Sequence, residues 1–417
     1  MEHRFIQNRD IVMFSMQPWD AATACNFKEM AFEFAKHNRV LYVNRAIDRI
    51  SVIKHRQSKL VQSRMATVKQ GTDELIPIQP GLWVHNPRTV LESLNWMPVA
   101  GLYEAANRIN SKRLAREMNK IIKRLGFSNV LLINDNDFFR GIDLKELVDC
   151  TDYIFYIRDY LNYQPWFRRH GPRMEKKMIE KSDLIVANSL YLANYAAQYN
   201  PLSYDIGQGC DLESYLVENP PVPDDLKNIP RPIIGYTGAI SGTRLDKEIF
   251  LHIAEQLPEC SIVLVGPVTD GFDAEALRAH ANIHFLGTKP PAAVPGYVHY
   301  FDVCLNPQLV NQLTVGNYPR KADEYLAMGK PMVATETETM KFFADYVYLC
   351  KNKEEYVGHI RSILSDPAKQ NGIVKQQRRA FALSHSWTES IGRLGDAFHD
   401  YQLKKKKAYE RGQQLAG

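Results

Sequence analysis

The stretch Asn317-Tyr-Pro-Arg-Lys-Ala-Asp-Glu-Tyr-Leu-Ala-Met-Gly-Lys-Pro-Met-Val-Ala-Thr335 sets a cation, Lys321, one helical turn ahead of a carboxylate, Glu324, beside an apolar run. Pro319 suits the first position of a helix, Lys321 to Met328 forms one to two turns, Gly329 caps them, and Met332 to Thr335 reads as a buried strand. The free N–H groups and positive dipole end of such a helix would hold a diphosphate, with Lys321 adding a full charge. Glu324 would accept two ribose hydroxyls. A capped surface helix with a solvated Lys and Glu fits the same letters; the surrounding chain decides between the two.

Outward from that stretch, β-branched runs alternate with helical segments. In the second half Ile233 to Tyr236, Ile262 to Val265, Ile283 to Leu286 and Val303 to Leu305 are buried-type strands. In the first half the strands are Ile11 to Phe14, Val40 to Val43, Val130 to Ile133, Tyr153 to Ile157 and Leu184 to Ala187. Helices are read over Asn26 to His37, Leu102 to Leu125 and Leu190 to Gln198. The rhythm predicts two α/β domains with parallel sheets. Crowded prolines (Pro220, Pro221, Pro223, Pro230, Pro232) mark a linker. The predicted organisation is an N-terminal domain 1–207, a linker 208–232, a second domain 233–385 and a C-terminal helix with a basic tail, 386–417. In that helix Ile391, Leu394, Phe398 and Tyr401 recur at helical spacing, and Lys404 to Lys407 reads as a solvated end. The polar region from Arg45 to Gln79 carries no clear period.

Composition bounds the function classes. A chain of 417 residues with 45% hydrophobic and 24% charged residues has room for more than one globular domain. Its formal net charge of +5 falls far short of a dedicated nucleic-acid binder. Cys25, Cys150, Cys210, Cys260, Cys304 and Cys350 stand singly, without metal-ligand or redox spacing, and read as reduced core thiols. No apolar leader or run of eighteen apolar residues occurs, so the expectation is a cytoplasmic protein. Gly-x-Ser-x-Gly, P-loop, His-Glu-x-x-His and paired-cysteine motifs are missing, which leaves hydrolase, kinase and metalloenzyme readings without an anchor.

The second domain opens with Ile233-Ile-Gly-Tyr-Thr-Gly-Ala-Ile-Ser-Gly-Thr-Arg-Leu-Asp246, a strand feeding a loop with Gly238 and Gly242 ahead of a helix near Leu245. Ligands of open α/β sheets sit at such strand ends, where Arg244 would pair with a diphosphate; a glycine turn with a surface arginine is the plainer alternative. In order along the chain come this loop, Val265-Gly-Pro, Phe285-Leu-Gly, Asp302-Val-Cys-Leu-Asn-Pro307, Lys321-x-x-Glu324-Tyr-Leu-Ala-x-Gly-Lys-Pro and Trp387. This series resembles the group 1, family 4-like GT-B glycosyltransferases over the whole second half. The first half resembles them more loosely, in Asp135, Tyr156-x-x-Asp159-Tyr, Ser182-Asp-Leu-Ile-Val-Ala-Asn-Ser189 and Gly207-Gln-Gly-Cys-Asp211.

The resemblance implies a GT-B architecture: two Rossmann-like domains with parallel sheets facing a central cleft, the C-terminal helix crossing back to the first. It implies a donor site on the second domain, in agreement with contacts from Gly238, Arg244, Lys321 and Glu324, with Thr314 or Asn317 able to supply hydrogen bonds where the family's first glutamate is missing. It also implies retaining chemistry, and neither a metal nor any cofactor besides the nucleoside-diphosphate sugar. In one respect the chain departs from the family. Seven residues before Glu324, where a first glutamate usually stands, it has Gly316.

On the acceptor side, Asp159 follows a strand through Arg158 and is either a cleft-facing carboxylate or a cap for the next segment. Trp19 and Asp20, after the first strand, are acceptor candidates, with core packing the alternative for Trp19. Arg108, Lys112, Arg116, Lys120 and Arg124 recur every four residues opposite Leu114, Met118, Ile121 and Leu125, just after the apolar Leu94-Asn-Trp-Met-Pro-Val-Ala-Gly-Leu102. The 94–124 region is either a solvated basic helix or a peripheral membrane contact for a lipid-linked acceptor.

The expected function is therefore retaining transfer of a hexosyl group to a hydroxyl of a saccharide or lipid-linked acceptor, in surface polysaccharide or glycolipid synthesis. Arg244, Lys321 and Asp159 are the catalytic candidates. A non-catalytic sugar-nucleotide binder and a nucleotide-sugar epimerase are the alternatives.

Overall fold

The computed structural model describes residues 4–20, 26–71, 74–269 and 271–416. Cys25 lies outside the described residues. The chain divides into two compact units, one of residues 1–207 with 387–417 and the other of residues 208–386.

The first unit is built on an eight-stranded sheet: β1 (Asp10–Ser15), β2 (Arg39–Val43), β3 (Glu74–Gln79), β4 (Leu82–Asn86), β5 (Val130–Asp135), β6 (Asp152–Ile157), β7 (Leu184–Ala187) and β8 (Ser203–Asp205). Their spatial order is β3-β4-β2-β1-β5-β6-β7-β8, parallel except where β3 meets β4. Ile11, Val12, Met13, Phe14, Ile133 and Phe155 are fully buried. Strands covered by helices on both faces need apolar side chains at every position, which is why these read as unbroken apolar runs.

The region from Arg45 to Gln79, unassigned from sequence, forms the helices Arg49–Lys54 and Lys59–Gln70 and the antiparallel edge strand β3. The long helix is Ala100–Arg124, with Leu114, Met118 and Ile121 buried and the basic stripe facing water. The final helix, Trp387–Ala416, buries Ile391, Leu394, Phe398 and Tyr401 on the helix Asn26–Phe34 and the sheet of this unit. Trp387 donates its indole N–H to Glu29, and Thr388 donates to Glu33 at 2.8 Å. The basic tail is not merely solvated. Lys405 donates to Asp152 at 2.9 Å, and Tyr401 donates to the same carboxylate at 3.0 Å.

The second unit holds β9 (Ile233–Thr237), the short β10 (Ile240–Ser241), β11 (Ser261–Val265), the short β12 (Val268–Thr269), β13 (Ile283–Gly287), β14 (Val303–Asn306), β15 (Met332–Thr335) and β16 (Tyr348–Cys350). Six of these form a parallel sheet in the order β13-β11-β9-β14-β15-β16, while β10 pairs with β12. Residues 208–232 pack onto this unit rather than running free. Leu212 and Leu226 are buried in its core, and Asp225 accepts from Tyr297 at 2.7 Å and from Lys289 at 2.5 Å. Cys210, Cys260, Cys304 and Cys350 are buried free thiols and Cys150 is partly buried.

Candidate functional site

Strand order locates the site of the second unit. From β9 the chain passes to β11 and β13 on one side, then returns to build β14, β15 and β16 on the other, so the order reverses between β9 and β14. Loops leaving the carboxyl ends of two such strands diverge and open a crevice. At that point lie Thr237 and Gly238 from β9, Asn306 from β14, and the helix Arg320–Ala327. Pro319 is the N-cap residue of this helix and not its first helical position as the sequence suggests, and after the C-cap Met328, Gly329 turns the chain in the left-handed conformation, φ +71°.

Two glycines make the close approach possible. Gly238 has φ +124°, and a Cβ there would sit 3.3 Å from Lys321 Nζ. A Cβ on Gly266 would come within 2.0 Å of the Gly238 carbonyl oxygen, so the neighbouring loop also needs its glycine. Tyr325 ties helix to strand, its hydroxyl lying 2.8 Å from Thr237 N, from which it accepts, and 3.0 Å from Thr237 Oγ1. Behind the helix, fully buried Asp323 accepts from His385 Nδ1 at 2.7 Å and from the Cys210 thiol at 3.3 Å. Asp323 therefore anchors the helix from behind.

Lys321 donates to the Tyr236 hydroxyl at 2.7 Å, and its ammonium lies 4.0 Å from the centroid of that ring. Tyr236 passes its own hydrogen to the Ala239 carbonyl at 3.0 Å. Burial pulls the Lys321 pKa down to about 7; Glu324 pulls it up and the Arg244 guanidinium pushes it further down. Burial pushes the Glu324 carboxyl above its usual range, opposed by Arg320, by a hydrogen bond from Tyr215 and by Lys321. Arg244, Lys321 and Glu324 thus share one electrostatic neighbourhood at the mouth of the sheet. Among the described residues, the fully buried amide of Asn306, at the end of β14, has no hydrogen-bond partner.

The other donor-side candidates fall differently. Thr314 is fully buried, its hydroxyl donating to the Leu309 carbonyl and accepting from Asn311 N at 3.0 Å, so its side chain staples the loop instead of facing a ligand. Asn317 is half-buried just ahead of the helix. Tyr215 and Tyr236 escaped the sequence reading. Tyr215 lies in the stretch read as linker, and Tyr236 looks like any strand aromatic, although its place two residues before Gly238 was a usable signal.

In the first unit the order reverses between β1 and β5. There the fully buried Asp135 accepts from Ser15 Oγ at 2.7 Å and from Arg158 Nε at 2.7 Å, and Arg158 also donates to Asp159 at 3.0 Å. Burial pushes Asp135 up against the pull of Arg158. Asp159 is thus held in a Ser15–Asp135–Arg158–Asp159 chain, with Asn136 Nδ2 donating to its carbonyl at 3.1 Å.

Trp19 and Asp20 both have partners within the first unit. Trp19 packs against Phe32 and Tyr42, ring centroids 5.3 and 5.1 Å away, with Lys28 over its face at 4.9 Å. Asp20 accepts from the buried Arg64 at 2.6 Å, a structural ion pair. Among the described residues no group of three His, Cys, Asp or Glu is placed to hold a metal, and no helix is long and apolar enough to cross a membrane.

Comparison with known proteins agrees with this geometry. Residues 244–395 match the glycosyl transferase-like family. TuaH of Bacillus subtilis, whose name assigns it to teichuronic acid biosynthesis as a glycosyltransferase, is 26% identical over 258 residues, 58% of this chain. The match spans 63% of that relative's length. HepE from Anabaena, solved with UDP, superposes with a TM-score of 0.65 at 14% identity, covering 94% of this chain and 100% of its own. Sucrose-phosphate synthase from Thermosynechococcus elongatus gives 0.62 at 15% identity over 95% of this chain and 100% of its own. The trehalose 6-phosphate synthase of Burkholderia multivorans gives 0.64 at 12% identity over 99% of both chains. The fold is GT-B, and the resemblance read from the motifs is to that class of glycosyltransferase.

Proposed function

We propose that the chain is a retaining, metal-independent glycosyltransferase that moves a hexosyl group from a nucleoside-diphosphate sugar to a hydroxyl of a saccharide or lipid-linked acceptor in surface polysaccharide synthesis. The observation that carries the reading is the shared neighbourhood of Arg244, Lys321 and Glu324 at the reversal of strand order in the second unit. The match to a glycosyl transferase-like family over the same residues and the UDP of the HepE structure support it.

In the transfer step the bond between the anomeric carbon and the β-phosphate oxygen breaks, and the acceptor oxygen bonds to the same face of that carbon. The acceptor's proton passes to the departing phosphate. Negative charge grows on the diphosphate as the sugar becomes oxocarbenium-like, so cations fixed beforehand lower the barrier more than they tighten ground-state binding. Arg244, Lys321 and the helix start at Arg320 supply that charge where other enzymes use a divalent ion. Glu324, oriented by Tyr215, accepts the ribose hydroxyls. Asp159, fixed by Arg158, serves the acceptor.

Peripheral membrane contact belongs to the same proposal. The exposed Trp96, Val99, Leu102 and Ile109 lie next to the solvent-facing Arg108, Lys112 and Arg116, the combination that seats a surface on anionic lipid. One feature favours a second reading, a non-catalytic sugar-nucleotide binder: Gly316 stands where the family's sugar-facing carboxylate is usual.

Incubation with UDP-, GDP- and ADP-sugars tests the set. Slow release of nucleoside diphosphate, unchanged by chelator, supports the transferase, and NMR of the product's anomeric centre tests retention. An isomerised sugar supports the epimerase, and binding without turnover the binder.

A further inference from the structure

A cavity of about 390 Å³ opens in the first unit at the carboxyl ends of β1, β2 and β5, lined by Met16, Arg45, Asp137, Arg140 and Trp166 among others. Its size lies within the usual range for small-molecule sites, and it sits where strand order reverses, as ligand sites of open sheets do. None of its residues enters the donor-side chemistry.

The charges in it are unevenly satisfied. Asp137 is committed to Arg140, accepting from its backbone N at 2.9 Å and its guanidinium at 2.8 Å. Asp48 is saturated by Ser51 N at 2.9 Å, Ser51 Oγ at 3.1 Å and Ser93 Oγ at 2.8 Å. Glu92 is drawn away by Arg49 at 2.6 Å and Arg113 at 3.5 Å. Among the described residues Arg45 retains only a long contact with Asp48, 3.9 Å. The repulsion of Arg140, with burial, lowers the Arg45 pKa to about 10 despite the pull of Asp137 and Asp48. Two guanidinium groups therefore face a shared space in which one is underpaid by its carboxylates, and an incoming oxyanion relieves that repulsion.

The rest of the lining suits a sugar. Asn95 Oδ1 is buried with no partner among the described residues and awaits a hydroxyl donor. Trp166, half exposed at the rim, presents an aromatic face on which a pyranose ring stacks.

We propose that this cavity is the acceptor subsite and that it selects a saccharide bearing an oxyanion, a carboxylate or a phosphate, seated between Arg45 and Arg140. The proposal rests on the transferase reading for the word acceptor, but the anion selectivity does not depend on it.

The test uses the full chain at low salt, titrated separately with glucose, glucuronate, glucose 6-phosphate and UDP-glucose by NMR or calorimetry. The expected result is at least one of the two anionic sugars binding tenfold or more tighter than glucose, with the stronger of the two naming the oxyanion. Arg45→Gln abolishes that preference while UDP-glucose affinity, a check on folding, stays as in the parent. Equal binding of all three monosaccharides, or a preference that survives in Arg45→Gln, overturns the proposal. Failure of the parent chain to bind any nucleotide sugar instead strikes the transferase reading and leaves the anion comparison valid.

Discussion

Lys321 and Tyr236 form a single unit: the ammonium donates to the phenol at 2.7 Å and lies 4.0 Å from the ring centroid, held there by burial and beside the Arg244 charge. A lysine so placed is only partly charged at neutral pH, with a pKa of about 7.

Donor binding should therefore take up a proton. The anionic diphosphate favours the ammonium and raises its pKa in the complex, so UDP-sugar affinity is full below pH 7 and falls as pH rises towards the bound-state value. Calorimetry in buffers of different ionisation enthalpy measures the uptake. A flat affinity between about pH 6 and 9 would place Lys321 away from the diphosphate.

Glu324→Ala removes charge-assisted hydrogen bonds of about 1.5–3 kcal/mol, so donor affinity falls roughly ten- to a hundredfold. Tyr215→Phe frees the same carboxylate from its partner and gives a smaller loss in the same direction. Lys321→Ala lowers turnover more than affinity. Nucleotide titrations on folded variants check all three, and an unchanged affinity in the glutamate variant removes its assignment.

Asp159→Asn keeps the shape of the side chain beside Arg158 but removes its charge. Turnover drops by about a hundredfold while UDP affinity stays within twofold, because the carboxylate acts on sugar and acceptor rather than nucleotide. Steady-state kinetics with parallel binding separates the two, and parallel losses would mark Asp159 as purely structural.

Glu117 predicts an acid limit to stability. Burial opposes its ionisation, yet His85, the Arg88 N–H and Thr89 hold its pKa down to about 2. A carboxylate depressed in the folded state contributes stability above the unfolded pKa near 4.5 and loses it as pH falls towards 2. Glu117→Gln costs about 2–3 kcal/mol at neutral pH, and the gap from the parent closes below pH 3 or so. Denaturant melts at pH 7 and pH 3 measure it.

The basic stripe gives a membrane prediction. The chain sediments with vesicles of anionic phospholipid and not with neutral ones, and replacing Arg108, Lys112 and Arg116 by Gln lowers the bound fraction severalfold. Salt-insensitive binding, or none, would return the helix to a solvated face.

Much of the fold was legible because parallel strands covered on both faces must be apolar throughout. Leu184–Ala187 and Met332–Thr335 were bounded to the residue and the other strands read from sequence to within one or two, while the short β8, β10, β12 and β16 were not read at all. The edge hairpin β3–β4 was missed: an edge strand carries polar residues, as Glu74 and Gln79 do, and has no continuous run to detect. Lys321, Glu324, Arg244 and Gly238 were singled out from local spacing, and the structure brings them into one neighbourhood. For Thr314, Trp19 and Asp20 the structure shows protein partners that the sequence could not, because a hydroxyl, an indole and a carboxylate near a strand end are spelled alike whether they face a ligand or a neighbour.

By itself the sequence determined the two parallel sheets, the chain position of the glycine loop after β9 and of the helix that starts at Arg320, and the anchoring pattern of the last helix, since each follows from apolar periodicity or a turn that only glycine makes. Only the tertiary structure decided which charges share a space: Tyr236 under Lys321, Tyr215 on Glu324, Arg158 between Asp135 and Asp159, Arg45 facing Arg140. Apart from the adjacent Arg158 and Asp159, those pairs join residues 23 to 109 positions apart, and the pKa of each group depends on burial and on neighbours that no local pattern encodes.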